Sequence, residues 1–218
     1  NQSFIPKEGV NVYGGFSGGE VSLDERIKSD SNDDGKTDGW EFKNKSILSG
    51  DIDLLKDNYS DTIIGNLISA MSKNSYRVVN QEIPFNIETI WEGVTIRGGY
   101  GNKDVIENMA AGAFVQENFK LRNCNIDFNL LTGDYGKGAG LYIKNSYIDS
   151  CRISDNYMNG VLSQGAGLYS ESSEIAYCRI SRNSGIAEAC YGGGIYNTGI
   201  VRNSVFFDNK LKGDSGNG

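Results

Sequence analysis

The chain contains no histidine. That absence removes histidine-based catalytic triads, zinc centres of the usual kind and most general-base chemistry near neutral pH. Proline is nearly missing too: two in 218 residues, against 29 glycines, fit tightly turning coils and exclude a collagen-like or proline-rich linker. No apolar run is long enough to span a membrane, and no secretory leader is visible. Basic residues number 21 against 28 acidic ones, and the resulting net charge of -7 argues against nucleic acid or an anionic membrane surface as partner. Strong helix formers are scarce in the second half, where short runs such as CRISDN and GLYI sit between glycine and asparagine, which is strand and turn chemistry.

In their place stands a repeat. Gly138 to Tyr142 reads GAGLY, Gly165 to Tyr169 reads GAGLY and Gly192 to Tyr196 reads GGGIY, at steps of 27 residues. Ala111 to Val115 (AGAFV) lies 27 residues earlier and reads as a degenerate first copy. The register continues downstream, where Cys124, Cys151, Cys178 and Ser204 precede Ile126, Ile153, Ile180 and Phe206, then Asn129, Asn156, Asn183 and Asn209. A fixed period of this kind is a solenoid. Helical repeats fail on composition, and leucine-rich repeats would need several leucines per unit. A parallel β-helix remains, each repeat one coil of about 27 residues, with equivalent residues stacked about 4.8 Å apart.

That stacking predicts columns. Leu141, Leu168 and Ile195, with Phe114 below them, form one inward apolar column, and Ile126, Ile153, Ile180 and Phe206 form a second. Cys124, Cys151 and Cys178 sit two residues before the second column, on the same strand face, and act as small buried hydrophobes. Side chains leaving parallel strands about 4.8 Å apart are too far apart for a relaxed disulfide, so free thiols are expected. Cys190 falls in the loop before the third glycine motif, without an obvious partner. The asparagines belong at strand ends, each amide bonding its own turn and the amide above. Tyr142, Tyr169 and Tyr196 neighbour the inward column, so alternation turns them outward as a ladder that stacks on itself or on sugar rings. Arg152 and Arg179 also stack outward; two guanidinium groups so close call for a bound anion or for acids such as Asp149, Asp155 or Glu174.

The first half is less regular. Gly9 to Phe16 (GVNVYGGF) and Gly93 to Tyr100 (GVTIRGGY) share a pattern and read as strands of the same fold, as do Ile47 to Asp51 and Tyr76 to Val79. Asn58 to Ser72 is expected to hold a short helix within an excursion. Asp30 to Glu41 reads DSNDDGKTDGWE and matches an EF-hand-like calcium template, DxNxDGxxxxxE, at every required position. Asp30, Asn32, Asp34, Asp38 and Glu41 supply side-chain oxygens, Lys36 a backbone carbonyl and Gly35 the sharp turn. Calcium takes six to eight hard oxygens, and the last glutamate gives two at once. One isolated loop inserted at residues 28–42 has no paired hand to open, so a stabilising Ca2+ is expected rather than a signalling one.

The glycine motifs followed by ISDN, ISRN and FFDN resemble the paired GGA(I/L/V) and FxxN motifs of polymorphic outer membrane protein repeats; only Phe206 to Asn209 matches FxxN literally, isoleucine standing elsewhere. VNVYGGFSGGE, SILSGD, NSYRVV and GVTIRGGY resemble the amino-terminal coils of β-helix surface proteins common in Bacteroidota. The resemblance implies a right-handed parallel β-helix, export to the cell surface or outside the cell, and an adhesin-like role, but no reaction. The reading is therefore one domain, residues 1–218, forming a piece of a longer solenoid whose flanking coils belong to the same polypeptide. Its expected function is noncatalytic binding of an extracellular glycan or surface protein, with Ca2+ as the cofactor. The competing expectation is a polysaccharide lyase or glycoside hydrolase, which needs clustered carboxylates, or calcium with an Arg or Lys base, on one exposed face.

Overall fold

The structure is a computed structural model that describes residues 3–52, 71–102, 108–213 and 215–217. It is a parallel β-solenoid with turns of about 27 residues and four walls. The first wall stacks Val79–Asn80, Ala113–Gln116, Leu141–Lys144, Leu168–Glu171 and Ile195–Asn197. The second stacks Val12–Tyr13, Thr89–Glu92, Phe119–Arg122, Tyr147–Asp149, Glu174–Ala176 and Ile200–Arg202. The third, which carries the site discussed below, stacks Ser46–Ser49, Val94–Arg97, Asn125–Asp127, Arg152–Ser154, Arg179–Ser181 and Val205–Phe207. The fourth is built around the long strands Tyr157–Gln164 and Ser184–Tyr191.

Corners explain why the repeat is written as it is. The turn from second to third wall places Asn123, Ser150, Tyr177 and Asn203 at φ between 47° and 52° in successive coils, and the turn from third to fourth does the same with Phe128, Asp155, Arg182 and Asp208 at 52° to 58°. Each costs a non-glycine residue roughly 1–2 kcal/mol, offset by the strands that it joins. Gly138, Gly165 and Gly192 take the left-handed position at the corner entering the first wall. The third glycine of the motif has a different reason. A Cβ at Gly140 would lie 2.6 Å from Nδ2 of Asn156, and one at Gly167 would lie 2.7 Å from Nδ2 of Asn183. The glycine and asparagine motifs are thus two sides of one contact.

The asparagine column is a continuous buried hydrogen-bond spine. Nδ2 of Asn129, Asn156 and Asn183 donates in turn to Oδ1 of Asn156, Asn183 and Asn209, each at 3.0 Å, and each of those oxygens also accepts the backbone N–H of the asparagine below it at 3.1 Å. Inside the coil, Leu141 and Leu168, with Ile195 against them, face Ile126, Ile153, Ile180 and the column of Cys124, Cys151 and Cys178 in one apolar cluster. All four cysteines are buried and free.

Two expectations need correcting. Phe114 does not continue the Leu141 column: Ala113 pairs with Leu141 and Phe114 with Tyr142, a step of 28 rather than 27. The next wall returns to 27, Lys120 pairing with Tyr147, so the extra residue sits in the corner at Glu117 and Asn118, both at positive φ. Cys190 lies in the strand Ser184–Tyr191 rather than in a loop, and is buried there. The look-alike segments 9–16 and 93–100 both contribute strands of the solenoid, as expected, Val12–Tyr13 in the second wall and Val94–Arg97 in the third. The helix expected over residues 58–72 falls on residues 58–70, which lie outside the described residues; Met71–Lys73 form one 3-10 turn.

Candidate functional site between the inserted loop and the third wall

The acidic loop leaves the solenoid after Val12–Tyr13 and returns at Ser46–Ser49. Its neck is closed by an antiparallel bridge between Lys28 and Phe42 and by the Ser29 N–H donating to the Glu41 carbonyl at 2.9 Å. Arg26 ties that neck to the second wall: its guanidinium donates to the Gly14 carbonyl at 3.0 Å and to the buried Glu92 carboxylate at 2.6 Å, and lies 4.8 Å from the Phe42 ring centre. Burial raises the Glu92 carboxyl, but hydrogen bonds from Arg26 and Asn123 outweigh it and hold the group below its ordinary value. Lys28 donates to the Gly39 carbonyl and sits 3.4 Å above the Phe42 ring centre; burial, with Arg26 beside it, lowers its ammonium to about 8.

The loop then bends down onto the solenoid. Gly39 touches the corner between second and third walls so closely that a Cβ would overlap Oδ1 of Asn123 and come within 3.0 Å of the Ser150 Cβ. Asp34, farther along the same loop, accepts from Arg179 at 3.1 Å, across 145 positions of chain. The predicted calcium loop and the predicted arginine pair, two unrelated stretches of sequence, therefore form one site.

Within the loop the carboxylates organise backbone amides. Asp30 accepts from Asp34 N at 3.2 Å and Gly35 N at 2.8 Å, and Asp34 accepts from Lys36 N at 3.1 Å. Glu41, only 1% exposed, reaches across the loop to Ser31 N at 2.9 Å, Ser31 Oγ at 2.7 Å and Asp38 N at 2.9 Å. Asp38 is raised above its ordinary value by burial first, then by the charges of Glu41 and Asp34. Hard oxygens are what a calcium ion takes. Among the described residues, however, no three His, Cys, Asp or Glu side chains form a group that could hold a metal ion; in this conformation Glu41 is taken up by loop amides and Asp34 by Arg179.

On the wall, Arg152 and Arg179 are register neighbours, as the spacing predicts. Their counter-charges differ. Arg182 takes Asp155 in a two-point pair at 2.7 and 2.6 Å, and Arg97 takes Asp127 the same way at 2.8 and 2.7 Å. Arg152 makes only longer contacts, 3.4 Å to Asp155 and 3.4 Å to Asn125. Burial pushes its guanidinium below its ordinary value, against the pull of Asp127 and Asp155.

Two clefts flank the loop. One, of about 270 Å³, lies between Glu41 and Trp40 on the loop side and Arg97, Asn125, Arg152 and Arg182 on the wall. The other, of about 500 Å³, runs from Asp34, Asp38 and Trp40 to Tyr177, Arg179 and Phe207. Trp40 borders both. Sequence reading singled out none of Trp40, Tyr177, Phe207, Arg97 or Arg182; Tyr177 and Arg182 occupy corner positions of the repeat that hold other residue types in the neighbouring coils.

The tyrosine ladder stacks as expected but is largely covered. Phe114, Tyr142, Tyr169 and Tyr196 lie with ring centres 5.0 to 5.2 Å apart, and Tyr142 and Tyr169 keep 5% and 9% of their surface exposed. Ala110, Tyr142 and Tyr169 form one buried cluster, with Met109, Phe114 and Tyr196 packed against it. No helix among the described residues is long and apolar enough to cross a membrane. The chain matches no protein-family model, no curated protein and no solved structure.

Proposed function

We propose that this protein is a noncatalytic, extracellular or cell-surface solenoid that binds glycans in the two clefts beside its inserted loop, with Ca2+ fixing that loop. The observation that carries the reading is the Asp34 to Arg179 contact, which roofs the third wall with the loop and sets aromatic rings beside charged and amide groups. Trp40, Tyr177 and Phe207 offer flat apolar faces, and Asp34, Asp38 and Arg179 offer directional hydrogen bonds; sugar recognition needs both. The tyrosine column is assigned to packing. Export and the right-handed coil follow from the resemblance and from the general bias of parallel crossovers. The Ca2+ would be held by Asp30, Asn32, Asp34, the Lys36 carbonyl, Asp38 and Glu41, and its contribution is stability of the loop over the wall.

The noncatalytic reading is supported on the wall, where a glycoside hydrolase would need a carboxylate pair ready to exchange protons and Asp127 and Asp155 are each engaged by an arginine fork. The test is titration of neutral and acidic oligosaccharides against the chain, followed by product analysis. Binding weakened at least tenfold by Trp40→Ala or Tyr177→Ala is the expected result. Failure of every glycan to bind would overturn the binding role, and turnover would overturn the noncatalytic one.

A further inference from the structure

We infer that the smaller cleft is a subsite for the carboxylate of an acidic sugar, a uronate, with Arg152 as its recognition residue. The inference rests on the glycan-binding reading and names the ligand class. Three guanidinium groups, Arg97, Arg152 and Arg182, line this cleft beside two wall carboxylates, Asp127 and Asp155. Those carboxylates are committed to Arg97 and Arg182 by short two-point pairs, which leaves Arg152 with contacts of 3.4 Å. A guanidinium carries five N–H donors in a planar fork whose best complement is a carboxylate held at two points. Arg152 is also half-buried, its side chain 22% exposed, so water compensates it poorly and an incoming anion gains more than at an open surface.

The surroundings restrict which anion. Asn125 stands beside Arg152 in the cleft with an amide suited to hydroxyl or ring oxygens, and Trp40 supplies a flat face at its mouth. A volume of about 270 Å³ is near the lower end of ligand sites and suits one ring. The acidic loop lies opposite and the chain carries a net charge of -7, which penalises a polyphosphate more than a ligand that places one carboxylate in the cleft. An aromatic face, an amide and a lone carboxylate fork together describe an acidic sugar better than an acidic peptide.

The experiment titrates the whole chain, by calorimetry and by the Trp40 indole resonance, with a trigalacturonate, its methyl ester and a neutral trisaccharide, each with calcium and with chelator. Trigalacturonate is expected to bind at least tenfold tighter than its methyl ester. Arg152→Gln should abolish that difference, and Arg152→Lys should restore only part of it because charge returns without the fork. Equal affinity for acid and ester, or competition by inorganic phosphate or a polyglutamate peptide at the same concentration, overturns the inference. Should Arg152→Gln not fold, the acid-to-ester ratio and the Trp40 shifts of the unmodified chain still decide. Neutral sugars binding without any carboxylate preference sinks this inference alone, whereas no sugar binding at all sinks the glycan reading beneath it.

Discussion

Replacing Asn156 by alanine removes the middle of the asparagine spine. In the intact coil its Nδ2 donates to the carbonyls of Ile126 at 3.0 Å and Ser154 at 3.1 Å and to Asn183 Oδ1 at 3.0 Å, and its Oδ1 accepts the Asn129 backbone N–H at 3.1 Å and Nδ2 at 3.0 Å. The Asn129 N–H, on a residue 1% exposed, is left buried without its acceptor, at a cost of about 1–3 kcal/mol, and the remaining bonds contribute about 1 kcal/mol net each. Not all are lost outright, since the carbonyls keep their place beside the strand ladder. A total of about 3–5 kcal/mol follows, which for a chain of this size lowers the melting temperature on the order of 10 °C. Urea unfolding followed by circular dichroism measures the first number and a thermal scan the second. Thr198→Ala is the control: that exposed residue makes one side-chain bond, its Oγ1 accepting the Ser172 N–H at 3.3 Å, and its loss should stay within about 0.5 kcal/mol. A loss below about 1 kcal/mol at Asn156, or equal losses at the two positions, would refute the claim that buried amides hold successive coils together.

The loop and the cysteines provide further tests. If Ca2+ occupies the loop, Glu41→Ala should weaken calcium affinity far more than Lys36→Ala, whose carbonyl stays; calorimetry that finds no calcium binding, or equal effects, refutes the site. Gly39→Val should lift the loop from Asn123 and Ser150, seen as loss of both cleft affinities with the solenoid's circular dichroism unchanged; intact sugar binding would show that the loop contact is dispensable. Thiol reagents should find four thiols in the denatured, unreduced chain and react slowly with the native one; a count of two or none would overturn the free-thiol column. Lys28 is lowered from 10.5 to about 8, so between those values the unfolded chain holds a proton that the folded chain has released. Stability relative to Lys28→Met is therefore expected to increase as pH rises through that window and to fall as pH drops through about 8; a flat or opposite difference in thermal midpoint refutes the buried position of the ammonium.

Sequence alone determined the solenoid, its 27-residue step, and the asparagine, cysteine and isoleucine columns, because parallel coils bring residues one period apart into contact and so write their packing into the spacing. It also marked the acidic loop and the stacked arginines, since loop composition and strand alternation are local. Tertiary structure decided the rest. The one-residue insertion at the Glu117 corner moved Phe114 from the leucine column to the tyrosine stack, a shift that a single period cannot reveal. Tyr142 and Tyr169 are buried in a cluster with Ala110, against which Met109 packs, a contact that strand alternation alone does not reveal. The joining of Asp34 to Arg179 depended on where a loop of irregular sequence folds back, and that is set by the Arg26 to Glu92 anchor and by the bare backbone of Gly39 against the Asn123 corner. Contacts spanning 145 positions obey no period, so the clefts that they create were legible only once the chain was coiled.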